Sequence, residues 1–383
     1  MIKRDIETEL KTLAGQYPVV TVSGPRQAGK TTLCRIVFPE YNYCNLELPE
    51  HRQLAADDPR ALLAAFPPPV IIDEIQRVPE LLSYIQVITD ELDQPGRFIL
   101  TGSHQLGLHE AVSQSLAGRT ALLTLLPLSI RELSGEGITL SRDQYLLKGF
   151  LPRIYKDNLD STKAYRNYFQ TYIERDLRQV SNIRNLDQYE KFMRLLAGRV
   201  GQVINLNSMS NDIGVSSTTL AEWLTVLEAS YVIFRLKPYY ENFGKRLVKS
   251  SKLYFTDVGL AVYLLGISEL NQVSRDPLLG NLFENLVVIE ALKTRMNHGL
   301  DANLYFYRDS NQQEVDLIYR KGNSLVPIEI KAAMTYNKTL IKNIRFFQGL
   351  TGSSEGYLVY AGDFEPALDD LDVVNFIQTH RIF

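Results

Sequence analysis

Residues 18–38 read PVVTVSGPRQAGKTTLCRIVF, and the order inside this stretch decides the fold: an apolar strand-like run, a glycine-bearing turn, then a helix-like run TTLCRIVF. Gly24-Pro25-Arg26-Gln27-Ala28-Gly29-Lys30-Thr31 fits G-x-x-x-x-G-K-[ST], and a strand before and a helix after it are the context that gives the motif meaning. The glycines let successive backbone N–H groups turn inward around phosphates, and the helix beginning near Lys30 directs its positive dipole end at the same anion. Lys30 supplies a point charge to the outer phosphates. The Thr31 hydroxyl is expected to ligate magnesium, and Thr32 continues the phosphate-binding stretch.

Working outward, apolar strand-like runs alternate with helix-like ones: YNYCNLEL at 41–48, PVIIDE at 69–74, LLSYIQVITDEL at 81–92, RFILTGS at 97–103 and TALLTLLPLSI at 120–130. Such alternation predicts a parallel sheet covered by helices on both faces. Val70-Ile71-Ile72-Asp73-Glu74 is a buried strand ending in two carboxylates. Beside a P-loop, Asp73 is expected to hold the metal through water, and Glu74 to position and polarise an attacking water. The strand Phe98–Ser103 ends in small hydroxyl residues. Ser103 is the candidate γ-phosphate sensor there, with Thr101 as its alternative. Arg119 is the candidate arginine finger, against a purely structural arginine at a helix end. The cofactors expected are ATP and Mg2+.

The chain has 383 residues, 45% hydrophobic and 22% charged, enough for two or three globular domains. Its net charge of -3 and pI near 6.0 leave room only for a local nucleic-acid patch. The opening MIKRDIETELKT is charged where a secretory signal is apolar, and no stretch approaches the roughly 18 unbroken apolar residues of a spanning helix. Cys34 and Cys44 have no partner spacing for a disulfide framework or zinc, so both read as reduced bystanders in a cytoplasmic protein.

Domain boundaries are expected at 1–155 for the P-loop part, 156–268 for a helical part and 269–383 for a mixed helix and strand part. In the middle part, INLNSMSNDIGVS at 204–216 reads as a short helix and tight turn, with Gly214 suited to positive φ. Ser216 or Ser217 then caps a helix whose Leu220, Leu224 and Leu227 face a core. This predicts a winged helix-turn-helix. Its second helix carries Glu222 and Glu228 and no Lys or Arg, so any DNA contact falls to Lys237, Lys245, Arg246, Lys249 and Lys252 in the wing. The alternative is a winged helix used as a lid or oligomer contact.

In the last part, Glu284 lies on a helix, Asp316 in EVDLIY at 314–319 and Glu329-Ile330-Lys331 at the end of the next strand, with Gly322-Asn323 marking a hairpin. Residues two apart on a strand share a face, so Glu329 and Lys331 project together and pairing brings Asp316 beside them. That predicts a second Mg2+ or Mn2+ held by Asp316, Glu329 and Glu284, with Lys331 near the water. Glu314 could displace Asp316 in the ligand set, and Pro327 could bend the second strand. The bland alternative is the solvent face of a hairpin.

GPRQAGKTT, VIIDEIQ, FILTGS, LAGR-x7-PLS, LYFTDVGL, GNLFEN and EVDLIY together resemble the bacterial and archaeal AAA+-superfamily ATPases that carry a C-terminal domain of unknown function, across essentially the whole chain. The resemblance implies an α/β architecture: a P-loop (AAA+-like) ATPase core, a winged helix-turn-helix and a C-terminal domain similar to PD-(D/E)XK restriction endonucleases. Three readings stay open: an ATPase whose cycle moves the appended domains on DNA, a nucleotide-gated switch or scaffold that binds a protein partner, and an ATP-licensed nuclease. Assembly into a homo-oligomer is left open with them.

Overall fold

A computed structural model describes residues 2–92, 94–103, 115–173, 186–239 and 250–383. The chain divides into two compact units, Met1–Leu128 with Ala229–Tyr231 and Met296–Leu300, and Ser129–Glu228 with Val232–Arg295 and Asp301–Phe383.

The first unit is a five-stranded sheet with every pair parallel. Its strands are β1 (Val19–Ser23), β2 (Asn42–Asn45), β3 (Val70–Asp73), β4 (Phe98–Gly102) and β5 (Thr120–Thr124), ordered β2-β3-β4-β1-β5. Helices α1 (Glu7–Ala14), α2 (Lys30–Val37), α3 (Pro49–Asp57), α4 (Pro59–Ala65) and α5 (Leu81–Leu92) join them. The strands read as unbroken apolar runs because both faces are covered. Val20, Val22, Ile71 and Ile99 pack with Ile6, Leu10 and Leu33, whereas Val19, Ile72 and Leu100 pack with Leu62, Leu82 and Ile85. A slip of one residue would exchange the two sets.

The strand order positions the site. β4 lies between β1 and β3, so the C-terminal ends of these three strands bring the P-loop, Asp73 and Thr101 to one edge of the sheet.

The second unit begins with helices α6 (Ile130–Gly135), α7 (Arg142–Lys148), α8 (Pro152–Lys156), α9 (Ser161–Tyr168), α10 (Leu186–Ala197), α11 (Leu206–Ile213) and α12 (Ser217–Ala229). Gly214 closes α11 at φ 82°, and the Ser216 hydroxyl accepts from the Thr219 amide at 3.1 Å at the start of α12. Leu220, Leu224 and Leu227 are buried, so the local reading of this helix pair holds.

The strand pair that follows is built into a larger structure than a wing. β6 (Ile233–Pro238) pairs antiparallel with β7 (Lys252–Phe255), and β6 also runs parallel to β8 (Leu304–Arg308). Both strands therefore extend one seven-stranded sheet, ordered β12-β11-β10-β9-β8-β6-β7, with β9 (Glu314–Lys321), β10 (Ser324–Lys331), β11 (Tyr357–Tyr360) and β12 (Asp372–Asn375). Helices α13 (Val258–Leu264), α14 (Leu270–Val273), α15 (Leu279–Asn297) and α16 (Lys342–Thr351) complete the unit.

Two of the sequence signatures prove to be internal ties. The buried Asn285 amide accepts from the Phe255 N–H at 2.7 Å and donates to its carbonyl at 2.9 Å, which joins GNLFEN to LYFTDVGL. Asp257 caps α13 through the Gly259 amide at 3.0 Å and accepts the Tyr165 hydroxyl at 2.7 Å. Within the described residues no helix is long and apolar enough to cross a membrane.

Candidate functional site

Gly24 sits at φ 147°, and a Cβ there would lie 2.1 Å from the Leu125 carbonyl oxygen, so only glycine lets β1 turn into the loop at this point. Gly29 stands at φ 94° immediately before α2 and has no side chain to cap the helix, which leaves the first N–H groups of α2 available to an anion. The Lys30 ammonium, buried, donates to the carbonyls of Gly24 and Pro25, each at 2.9 Å. Burial lowers its pKa to about 8, against the opposing pull of Glu74 and Asp73.

Asp73 is gripped by three hydroxyls. Thr31 donates to its two oxygens at 2.9 and 3.0 Å, Tyr43 from β2 donates at 2.9 Å, and Thr101 from β4 donates as well. Thr31 and Asp73 together offer hard oxygen donors at the foot of the phosphate loop, a set that fits magnesium. Glu74 holds φ 60°, a left-handed conformation uncommon outside glycine, and its amide points at the Thr101 hydroxyl at 3.4 Å. Its carboxylate accepts from the Ser103 hydroxyl at 3.2 Å and from the Gln76 side-chain amide, which also donates to Ser103 at 3.3 Å.

Thr101 braces Asp73, and Ser103 braces Glu74. Sequence reading overlooked Tyr43 and Gln76. Gln76 could have been found as the polar residue two positions past Glu74, whereas Tyr43 is brought to Asp73 only by the pairing of β2 with β3. Cys34 lies next to this site with its thiol pushed up to about 12 by burial and by Asp73, so it stays protonated.

Arg119 does not stand beside the phosphate loop of its own chain. β5 runs parallel to β1 with Thr120 beside Val19, so Arg119 stands at the opposite end of the strands from the P-loop, about 15 Å away at 3.3 Å per residue. There its guanidinium is paired with Asp90 on α5, with the Nη2 contact at 3.0 Å. It does not reach the phosphate cradle of its own chain.

In the second unit, β9 and β10 form the expected hairpin, with Ile328 opposite Leu317 and Ser324 opposite Lys321. Pro327 leaves β10 unbroken because pairing with β11 begins only at Ile328. Lys331 stands between the two carboxylates, 2.8 Å from Asp316 and 2.5 Å from the fully buried Glu329. Burial and the Asp316 charge push the Glu329 carboxyl up to about 8, in spite of Lys331. Burial alone would raise Asp316 too, but Lys331 and Lys252 outweigh it and the net direction is down.

Two further expectations need correction here. Lys252, counted among the wing cations, is 2% exposed and pairs with Glu284 at 2.8 Å and with Glu314 at 2.5 Å, so it is no surface contact for DNA. Glu284 also accepts the Tyr254 hydroxyl at 2.6 Å. Among the described residues no three acidic, histidine or cysteine side chains gather as a metal shell, so the second-ion set of Glu284, Asp316 and Glu329 is not assembled. The physical reason is that two ammonium groups already occupy the space between these carboxylates. Glu314, the alternative ligand, is held by Lys252 and lies 3.4 Å from Arg308. Of the remaining wing cations Lys237 is exposed, and Lys245, Arg246 and Lys249 lie outside the described residues.

An AAA domain model matches residues 16–134, and two domains of unknown function, DUF8612 and DUF4143, match 140–271 and 279–380. An uncharacterized protein of Mycobacterium tuberculosis is 32% identical over 338 residues, 87% of this chain and 74% of its own. An uncharacterized protein of Haemophilus influenzae is 23% identical over 344 residues, 82% of each chain. Among solved structures, a Walker-type ATPase of Pyrococcus abyssi is similar at a TM-score of 0.47 and 15% identity, over 69% of this chain and 96% of that one. The AAA-domain match and the P-loop sheet support ATP binding and hydrolysis.

Proposed function

The chain belongs to the same family as the Mycobacterium tuberculosis protein and carries an AAA domain, and from that premise we propose that it is a magnesium-dependent ATPase that works as a nucleotide-gated switch. The observation that carries the reading is the meeting of Thr31, Asp73, Glu74, Thr101 and Ser103 beside the Lys30 loop. In this mechanism the N–H groups of Arg26–Thr32 cradle the phosphates, and the Lys30 ammonium leaves its own loop carbonyls for the outer phosphate oxygens. Thr31 and Asp73 would hold magnesium, which supplies charge neutralisation on the phosphates. Glu74, oriented by Ser103 and Gln76, takes the proton of the attacking water.

A proton balance tests the role of Lys30. With its pKa near 8, part of the free protein holds Lys30 neutral at pH about 8.5, whereas a bound polyphosphate favours the ammonium. ADP binding is therefore expected to take up protons at that pH, and less of them towards pH 7, as read by calorimetry in buffers of different ionisation enthalpy. For folding the sign is opposite. The unfolded chain, at 10.5, binds more protons between about 8 and 10.5, so this group makes stability rise with pH across that window. Buffer-independent binding heats at pH about 8.5 would remove Lys30 from the phosphates.

The same buried ion pairs favour the switch over the nuclease. With Lys331 spanning Asp316 and Glu329, and Lys252 spanning Glu284 and Glu314, the second unit serves as a recognition domain without cleavage chemistry. Incubation with ATP, Mn2+ and linear, nicked or branched DNA is expected to yield no cut product. Cleavage that Asp316→Ala removes would reinstate the nuclease. Measuring phosphate release with and without each DNA form tests the effector: DNA-stimulated turnover would make DNA the partner in place of a protein.

A further inference from the structure

We infer that Arg4 is a positioning residue for the phosphate loop, one that presets the loop's N–H groups before nucleotide arrives; the inference rests on the nucleotide-binding reading above. Arg4 is 8% exposed, and its guanidinium donates from Nη1 to the Ala28 carbonyl and from Nη2 to the Leu126 carbonyl, each at 2.7 Å.

The peptide plane between Ala28 and Gly29 carries the effect. In a trans peptide the C=O and the following N–H project from opposite edges. Fixing the Ala28 carbonyl on Arg4 therefore turns the Gly29 N–H to the face of the loop away from the guanidinium. Gly29 at φ 94° offers no steric preference of its own to hold this orientation, because glycine populates both signs of φ. A charge-assisted bond from a buried arginine supplies what the glycine lacks.

The second bond references the same plane to the sheet. Leu126 follows Leu125, whose amide pairs with Ser23 at 2.8 Å and whose carbonyl packs against Gly24 at the other arm of the loop. Both arms are thus measured against the end of β5, Gly24 by contact and Ala28 through Arg4. Arg4 is itself held in place because Ile6 and Leu10, on the turn and helix that follow it, are buried with Ala28, Leu33 and Cys34. Arg4 bonds the two carbonyls with two different nitrogens of one planar fork, a geometry that the single nitrogen of a lysine does not copy.

The test compares wild type, Arg4→Lys and Arg4→Ala by ADP titration, ATP steady-state kinetics and thermal melting without nucleotide. Without the charge-assisted bonds that preset the loop, the Kd for ADP and the KM for ATP should rise roughly tenfold or more in both variants. kcat should change far less, because the cradle holds phosphates in ground and transition states alike. Guanidinium ion added to Arg4→Ala should restore part of the ADP affinity. A merely structural arginine would lower the melting temperature and leave Kd and KM at wild-type values, and that result overturns the inference. Arg4→Lys keeps the charge, so it carries the test if Arg4→Ala does not fold. Failure of the wild-type protein to bind ADP would instead refute the nucleotide reading itself.

Discussion

Replacing Lys30 by alanine is expected to weaken ATP and ADP binding by about 10²- to 10⁴-fold, the equivalent of two charge-assisted contacts at about 1.5–3 kcal/mol each. The size follows from the surroundings. Lys30 is buried, and Asp73 and Glu74 both act on it electrostatically. Without the ammonium, a polyphosphate would meet the fields of Glu74 and Asp73, which act on this position more strongly than Arg26 does. The fold should survive, since the two bonds that Lys30 makes go to carbonyls of its own loop, Gly24 and Pro25. Equilibrium binding of a fluorescent nucleotide, with thermal melting as a control, reads both. A Kd within about threefold of wild type would mean that the loop holds no phosphate where Lys30 points.

Glu74→Gln should separate binding from turnover: nucleotide affinity close to wild type, kcat lower by about 10²- to 10⁴-fold, the range of a general base. The amide matches the carboxylate in shape and keeps an oxygen to accept from Gln76 and Ser103, so the geometry persists while proton acceptance is lost. Phosphate release under saturating ATP is the measurement. Turnover like that of the wild type would transfer the water-positioning role to another side chain. A smaller, graded effect is expected of Ser103→Ala, because Ser103 contacts Glu74 rather than the reacting atoms.

Much of this molecule was legible along the chain. The P-loop spacing, the apolar runs and the carboxylate pair at the end of β3 are local patterns, and each maps onto a strand end or a helix start. The same holds for the Gly214 turn, the Ser216 cap and the 314–331 hairpin, where a two-residue period and a Gly-Asn turn suffice to set register. What periodicity cannot encode is which strand lies beside which. The order β2-β3-β4-β1-β5 delivers Tyr43 and Thr101 to Asp73, and the parallel register of β1 with β5 carries Arg119 to the far end of the sheet. The pairing of β6 with β8 draws β7 into the larger sheet, and with it Lys252 from an imagined wing into a buried bridge between Glu284 and Glu314. Charges are solvated until a neighbour is chosen for them, and in this chain the neighbours are chosen by long-range strand order. Local sequence therefore determined the nucleotide site, whereas tertiary pairing decided which cations serve it and which are spent on internal carboxylates.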